Sequence, residues 1–184
     1  DYHGVQELAH SPYLKNLKSL NLMTNAVEDK GAVLLAESPN LSQLENLNLE
    51  NTGITSLGLL ALSQSPHISR LKELHLSNNN LGEKGFRILA ESKNFKNLNK
   101  LRVSGVSFGD TEFQTLIQSD TLKQLEELEI MGNVISRKSL DSLLDSKLFS
   151  HLKKLDLRRN SLKDVDLIFL ADSPKFQSLE ALRF

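Results

Sequence analysis

Five histidines are the first candidates for proton transfer or metal ligation: His3, His10, His67, His75 and His151. No two of them fall in an H-E-x-x-H helix motif, and the chain has no cysteine. A zinc centre needs three or four nitrogen, sulfur or carboxylate ligands brought together, and no such spacing is present. Without cysteine there are no thiolate nucleophiles and no disulfides. Serines are plentiful, and seven stand at one recurring position: Ser11, Ser38, Ser65, Ser92, Ser119, Ser146 and Ser173. A nucleophile is not copied seven times, so this column is architectural. The sequence also lacks G-x-x-x-x-G-K-[ST], G-x-G-x-x-G and G-x-S-x-G, so no phosphate loop, dinucleotide turn or nucleophile elbow is expected. The expectation is therefore no catalytic residue, no metal and no cofactor.

The spacing of that serine column is 27 residues, and the leucines keep the same register. Leu17, Leu44, Leu71, Leu98, Leu125, Leu152 and Leu179 form one column. Three positions on stand Leu20, Leu47, Leu74, Leu101, Leu128, Leu155 and Leu182, and two further Leu22, Leu49, Leu76, Val103, Ile130, Leu157 and Phe184. Three positions before the first lie Leu14, Leu41, Ile68, Phe95, Leu122, Phe149 and Phe176. Residues 1–184 thus read as one array of nearly seven 27-residue units. Each unit runs L-x-x-L-x-x-L-x-L-x-x-N-x-apolar and then changes period. The L-x-L step fits a short strand, and the stretch after it fits a helix. Thr55-Ser56, Gly82-Glu83 and Gly109-Asp110 are helix-start residue types. Pro12, Pro39, Pro66 and Pro174 each follow a column serine, which predicts a capped turn between helix and next strand.

One such unit cannot bury its own apolar face, so the units must stack and share a core. Helices pack roughly 10 Å apart and strands about 4.8 Å apart, so the stack curves with the sheet inside. An Asn column (Asn25, Thr52, Asn79, Val106, Asn133, Asn160) predicts a ladder of side-chain bonds within each unit and to the next. Val106 breaks it. Together with the loss of Pro at Lys93, Asp120 and Lys147, this marks the middle of the array as its irregular part.

Residues flanking the strand leucines point away from the core and line the inner curve. The strip that results is Ser19, Asn46, Glu73, Lys100, Glu127, Lys154 and Ala181 beside Asn21, Asn48, His75, Arg102, Glu129, Asp156 and Arg183. Met23, Glu50, Ser77, Ser104, Met131 and Arg158 add a third row. The alternating signs predict pairing along the sheet, Glu73 through Lys154 in one row, Arg102 with Glu129 and Asp156 with Arg183 in the other. The partner-binding candidates on this face are Met23, Glu50, Glu73, His75, Arg102, Glu129, Met131, Asp156 and Arg158. Ser77 and Ser104 are the only hydroxyls expected near His75, and neither is marked as activated. On the outer helices Leu60 and Ile168 are expected to be exposed.

These residues resemble the ribonuclease-inhibitor-like leucine-rich repeats. Leu35-Ala36-Glu37-Ser38-Pro39-Asn40-Leu41 and Ser65-Pro66-His67-Ile68 look like variants common in bacterial proteins. Lys30-Gly31-Ala32 and Lys84-Gly85-Phe86 match the family's glycine at the helix start, and Glu112, Ser139 and Asp166 depart from it. The resemblance implies an α/β leucine-rich-repeat solenoid, or horseshoe, with a parallel sheet on the concave face and helices on the convex face. It further implies a non-enzymatic protein-interaction scaffold with a protein partner. The family also includes substrate-recruiting arms of bacterial effectors or ubiquitin ligases and GTPase-activating arrays, and these form the alternative.

Composition agrees with a binding module. Lys plus Arg is 22 against 23 for Asp plus Glu, so no global field favours a nucleic-acid backbone. No apolar run reaches the 18 or so residues of a membrane span, so no membrane contact is expected. The lack of cysteine favours a cytoplasmic setting and leaves a secreted effector open. The chain begins at Asp1 in a helix-like segment and stops at a strand-like one, so it reads as a piece of a longer protein. Uncapped ends predict self-association.

Overall fold

The computed structural model describes residues 2–146 and 148–184, without the side chains of residues 149, 175 and 176. Among the described residues seven strands and seven helices alternate. The strands are β1 (Ser19–Asn21), β2 (Asn46–Asn48), β3 (Glu73–His75), β4 (Lys100–Arg102), β5 (Glu127–Glu129), β6 (Lys154–Asp156) and β7 (Ala181–Arg183). The helices are α1 (Tyr2–His10), α2 (Glu28–Glu37), α3 (Ser56–Gln64), α4 (Gly82–Glu91), α5 (Asp110–Ile117), α6 (Arg137–Leu144) and α7 (Asp164–Ala171). All strands lie in one parallel sheet in sequence order, with Leu20, Leu47, Leu74, Leu101, Leu128, Leu155 and Leu182 side by side.

The core follows the leucine columns. Leu74, Leu101 and Leu128 are completely buried, as are Leu71, Leu98 and Leu125. Leu59 and Leu62 of α3, and Leu140 and Leu143 of α6, turn inward as their helical spacing requires. Each buried side chain contributes roughly 1.5–3 kcal/mol before entropy is subtracted. In the first unit, Leu8, Leu17 and Leu22 are only partly buried, because nothing packs on their outer side. Leu60 and Ile168 are exposed on the outer helices, as the spacing predicts, and Val33 joins them. The side chains of Phe149 and Phe176 of the fourth apolar column, and all of Lys147, lie outside the described residues.

The serine column has a second role that its position alone did not reveal. Ser38, Ser65, Ser92 and Ser119 donate their hydroxyls to carbonyls near the end of the preceding unit's helix, at Ala9, Ala36, Ser63 and Ala90. Those carbonyls have no partner inside their own helix, and burial without one would cost stability. Serine is the smallest side chain that donates there and still fits between two units.

The turn expected at the prolines forms at three of the four. A 3₁₀ turn follows Ser11 and Ser38 at Pro12–Leu14 and Pro39–Leu41, Ser92 at Lys93–Phe95, where there is no proline, and Ser173 at Pro174–Ser178. None follows Ser65 despite Pro66. The hydroxyl decides. In the first three turns the N–H three residues on bonds the serine carbonyl, as in Phe95 to Ser92. At Ser65 the N–H of Ile68 turns to the side-chain oxygen instead, and Leu122 does the same at Ser119.

The Asn ladder exists, but it runs backward rather than forward. Asn79 donates to Leu76 in its own unit and to Leu49 in the unit before, and its oxygen accepts from the N–H of Thr52 and Ile54. Asn133 and Asn160 repeat this against the units that precede them. The Thr52 hydroxyl donates to Leu49 within its unit at 2.7 Å and reaches Asn79 Oδ1 of the next at 3.5 Å, with no bond to the unit before among the described residues. Val106 makes no such bond, yet the strand register passes through β4 unbroken. The irregularity expected in the middle is therefore confined to side chains and connecting turns.

Carboxylates staple helix starts across units. Asp29 accepts from the N–H groups of Thr55 and Gly58 and from the Thr55 hydroxyl. Asp110 does the same with Ser136 and takes the Ser139 hydroxyl as well. Burial alone would raise the Asp110 carboxyl, but these donors hold it below its usual range. A glycine at position 58 is required by this contact, since a Cβ there would lie 2.7 Å from Asp29 Oδ1. Between α6 and α7 a side-chain pair stands at these two columns instead, Arg137 donating to Asp166 at 3.2 Å.

Candidate functional site: the inner face of the sheet

The strand residues outside the leucine columns bring one face of the sheet to the inner curve. At β1 and β2 it carries Asn21, Asn46 and Asn48, and charge begins at β3. Lys100 of β4 lies 2.9 Å from Glu127, which lies 2.6 Å from Lys154. Bonding to Lys154 and Lys100 holds the Glu127 carboxyl below its usual range. Arg102 stands 3.0 Å from Glu129, and Asp156 is 3.6 Å from Arg183. The pairing expected from the alternating signs therefore forms from β4 to β7. Glu73 is the exception. Lys100 turns toward Glu127, and Glu73 is left 3.7 Å from the ring of His75.

The candidates differ in how much they offer a partner. Met23 is exposed, while Glu50, Glu73, His75, Arg102, Glu129 and Met131 are half-buried. Glu50 accepts from Asn78, 3.2 Å away. Asp156 is buried and clamps Arg158 through its backbone N–H and two guanidinium nitrogens, the shortest contact being 2.6 Å. Burial pushes the Asp156 carboxyl up, and the Arg158 bonds with the nearby Arg183 bring it below its ordinary value. Ser77 and Ser104, placed on the inner face by their column, are buried instead. Each hydroxyl accepts from the next unit's backbone, Ser104 N–H and Met131 N–H respectively, both at 3.1 Å. They bridge the units where Val106 leaves the Asn ladder open.

The centre of the face is His75 with Arg102, which are opposite each other in the register of β3 and β4. Both ring nitrogens of His75 and the Nε of Arg102 are buried without a hydrogen-bond partner. Arg102 Nε is close to Glu129 but not aligned for a hydrogen bond. Among the described residues these are the only side-chain nitrogens or oxygens left so. Burial first, then the charges of Arg102 and Lys100, lower the His75 pKa to about 4. The ring is therefore neutral at pH 7, with one N–H and one lone pair. The other histidines are elsewhere: His3 and His10 in α1, His67 in the turn before β3, and His151 at the end of the 3₁₀ turn Phe149–His151. Among the described residues no cluster of histidine and carboxylate side chains could hold a metal ion, and no helix is long and apolar enough to cross a membrane.

Three strand-to-helix stretches match family models. Residues 13–36 and 150–171 match one described as "Leucine Rich repeat", and 70–91 match another described as "Leucine Rich Repeat". These stretches are leucine-rich repeats. They take in β1 and α2, β3 and α4, and β6 and α7, and the whole sheet has the open, helix-alternating architecture of leucine-rich-repeat solenoids. An internalin (inlF) of Listeria monocytogenes superposes with a TM-score of 0.63 at 20% identity, over 98% of this chain and 50% of its own. A leucine-rich-repeat protein of Leptospira interrogans gives 0.51 at 23% identity, over 92% of this chain and 38% of its own. TLR13, in a complex with ssRNA13, gives 0.50 at 17% identity, over 99% of this chain and 30% of its own. The chain thus spans half or less of the length of these proteins. No curated protein sequence matches it.

Proposed function

We propose that the array is a non-enzymatic scaffold that binds a protein partner on its inner face, centred on His75 and Arg102. The observation that carries this reading is the pair of adjacent side chains with unpartnered buried nitrogens. Elsewhere the charged strip neutralises itself, so most of it has little left to offer. A partner carboxylate, carbonyl or amide that reaches this point, as the one-third-exposed Arg102 side chain swings aside, supplies the missing bonds. Met131 beside them and Met23 at the first strand add adaptable apolar contact. Arg102 is also the residue type on this face most often found at interface hot spots. The ribonuclease-inhibitor-like assignment and the bacterial origin belong to the same reading, supported by a full α-helix in the repeats and by an internalin among the similar folds. The recruiting arm of an enzyme, or a GTPase-activating array, is the second reading, and no residue arrangement described above favours it.

The test is a comparison of proteins captured from a cell extract by the wild-type chain, by Arg102→Gln and by Leu60→Glu on the convex side. A partner bound by the first and third and lost by the second supports the proposal. A partner lost only with Leu60→Glu contradicts it. Self-association is part of the same proposal. Leu167 stands in the core column of α7 yet is 38% exposed, whereas Val5, Ala32, Leu59, Phe86, Phe113 and Leu140 are at most 3% exposed.

A further inference from the structure

A wide concavity among the described residues lies off the inner face. It lies along the edge where the chain enters β3, β4 and β5, and has a volume of about 950 Å³. Arg70, Lys72, Lys93, Lys96 and Lys123 line it. Carboxylates line it too: Glu45, Asp120 and Glu126. Two of these are already engaged, Glu45 with Lys72 at 2.6 Å and Glu126 with Lys153 at 2.9 Å. Arg70 is bonded to the neutral Gln43, so its charge is not cancelled by that contact. Lys93, Lys96 and Lys123 are exposed and form no ion pair among the described residues. The excess of positive charge is local, because the whole chain carries a net charge of −1.

The repeat shows how the excess arises. Lys93 occupies the position that Pro12, Pro39 and Pro66 hold in the first three units. Lys96 and Lys123 stand where Ser42, Ser69, Ser150 and Gln177 stand in other units, with Lys15 the other lysine of that column. The turns that carry these lysines are held by serine and backbone, Ser92 bonding Asn94 and Phe95, and Ser119 bonding Thr121 and Leu122.

We propose that this edge cleft binds an acidic segment of a protein. The cleft is far larger than a single small anion needs, so an extended chain suits it better than an isolated ion. Nucleic acid fits less well. An unbroken row of phosphates would meet Glu45, Asp120 and Glu126 as well as the lysines, whereas a polypeptide can place acids only opposite cations. No aromatic side chain lines the cleft to stack a base. The surface is distinct from the inner face, and the proposal does not depend on the function assigned there.

The experiment uses a fluorescent peptide of alternating glutamate and glycine, a matching glutamine–glycine peptide, and a single-stranded RNA of equal charge. The wild-type chain is expected to bind the acidic peptide saturably, to lose it as salt rises, and to ignore the glutamine peptide. The triple variant Lys93→Gln, Lys96→Gln, Lys123→Gln should bind about tenfold more weakly, with unchanged circular dichroism. Arg102→Gln on the inner face should bind as the wild type does, which separates this surface from the other. Absence of binding, equal binding by the triple variant, or tighter lysine-dependent binding of the RNA would each overturn the proposal.

Discussion

His75 and Arg102 face each other across β3 and β4, and each keeps a buried side-chain nitrogen without a hydrogen-bond partner. The pair is unsatisfied because its neighbours are committed elsewhere. Lys100 turns to Glu127, and Glu129 sits beside Arg102 without aligning to Nε. The consequence is a histidine whose protonation works against folding.

That consequence sets the pH response. The His75 pKa falls from 6.5 to about 4 on folding, so the unfolded chain takes up the proton first. Stability due to the neutral ring is complete above pH 6.5 and is lost as pH falls toward 4. Glu73 on the same strand and Lys100 and Arg102 on β4 are the charged groups facing it, and Asn48 on β2 carries none. From pH 7.5 to 5 the wild type should lose about 1–2 kcal/mol more than His75→Gln. Thermal unfolding of both proteins at the two pH values checks this. Equal losses would mean that the ring is hydrated or partnered.

The serine ladder predicts a contrast within one column. Ser119 donates to Ala90 and accepts from Thr121 and Leu122 in a buried site. Ser119→Ala should cost about 1–3 kcal/mol in urea unfolding, because the Ala90 carbonyl is left buried and unpaired. Ser11 makes no side-chain cap bond, and Ser11→Ala should change stability by less than about 0.5 kcal/mol.

The Asn column predicts opposite signs at neighbouring units. Asn133→Val removes bonds to Val103, Ile130 and Val106 and should cost about 2–4 kcal/mol. Val106→Asn offers the preceding unit a link it lacks and should be neutral or stabilising by up to about 1 kcal/mol. Calorimetry of the two variants decides it.

Glycine at the helix start divides the array. Gly58→Ala drives a methyl group against Asp29 Oδ1 and Ala32 Cβ, at 2.7 and 2.9 Å, and should destabilise by about 1–3 kcal/mol. Gly4→Ala meets nothing within 4 Å and should be neutral or slightly stabilising by helix propensity. Chemical denaturation of each measures the difference.

These contrasts mark what the sequence makes legible. The leucine columns and the strand register follow from spacing, because apolar side chains at a fixed period have one way to share a core. The ion pairs from Lys100 to Lys154 follow from side chains placed one strand apart. The serine hydroxyls were not legible as bridges, since their acceptors are backbone carbonyls 29 residues earlier and every residue type has one. Asp29 and Asp110 were hidden because their column, which also holds Glu83 and Asp164, is broken by Tyr2, Ser56 and Arg137, and spacing does not show which carboxylate reaches the next helix. The burial of Ser77 and Ser104 depends on the column lying two residues past the end of the strand, where the chain is already turning. The unpartnered state of His75 depends on which way Lys100 leans, and that is a three-body outcome that spacing does not record.

The most direct measurement is a titration of the His75 imidazole by nitrogen and carbon NMR. The stacked units and their unsatisfied inner-face pair predict a neutral ring through pH 5, with a midpoint near 4. A midpoint near 6.5 would show a solvated or bonded ring, and the inner-face centre would lose its physical basis.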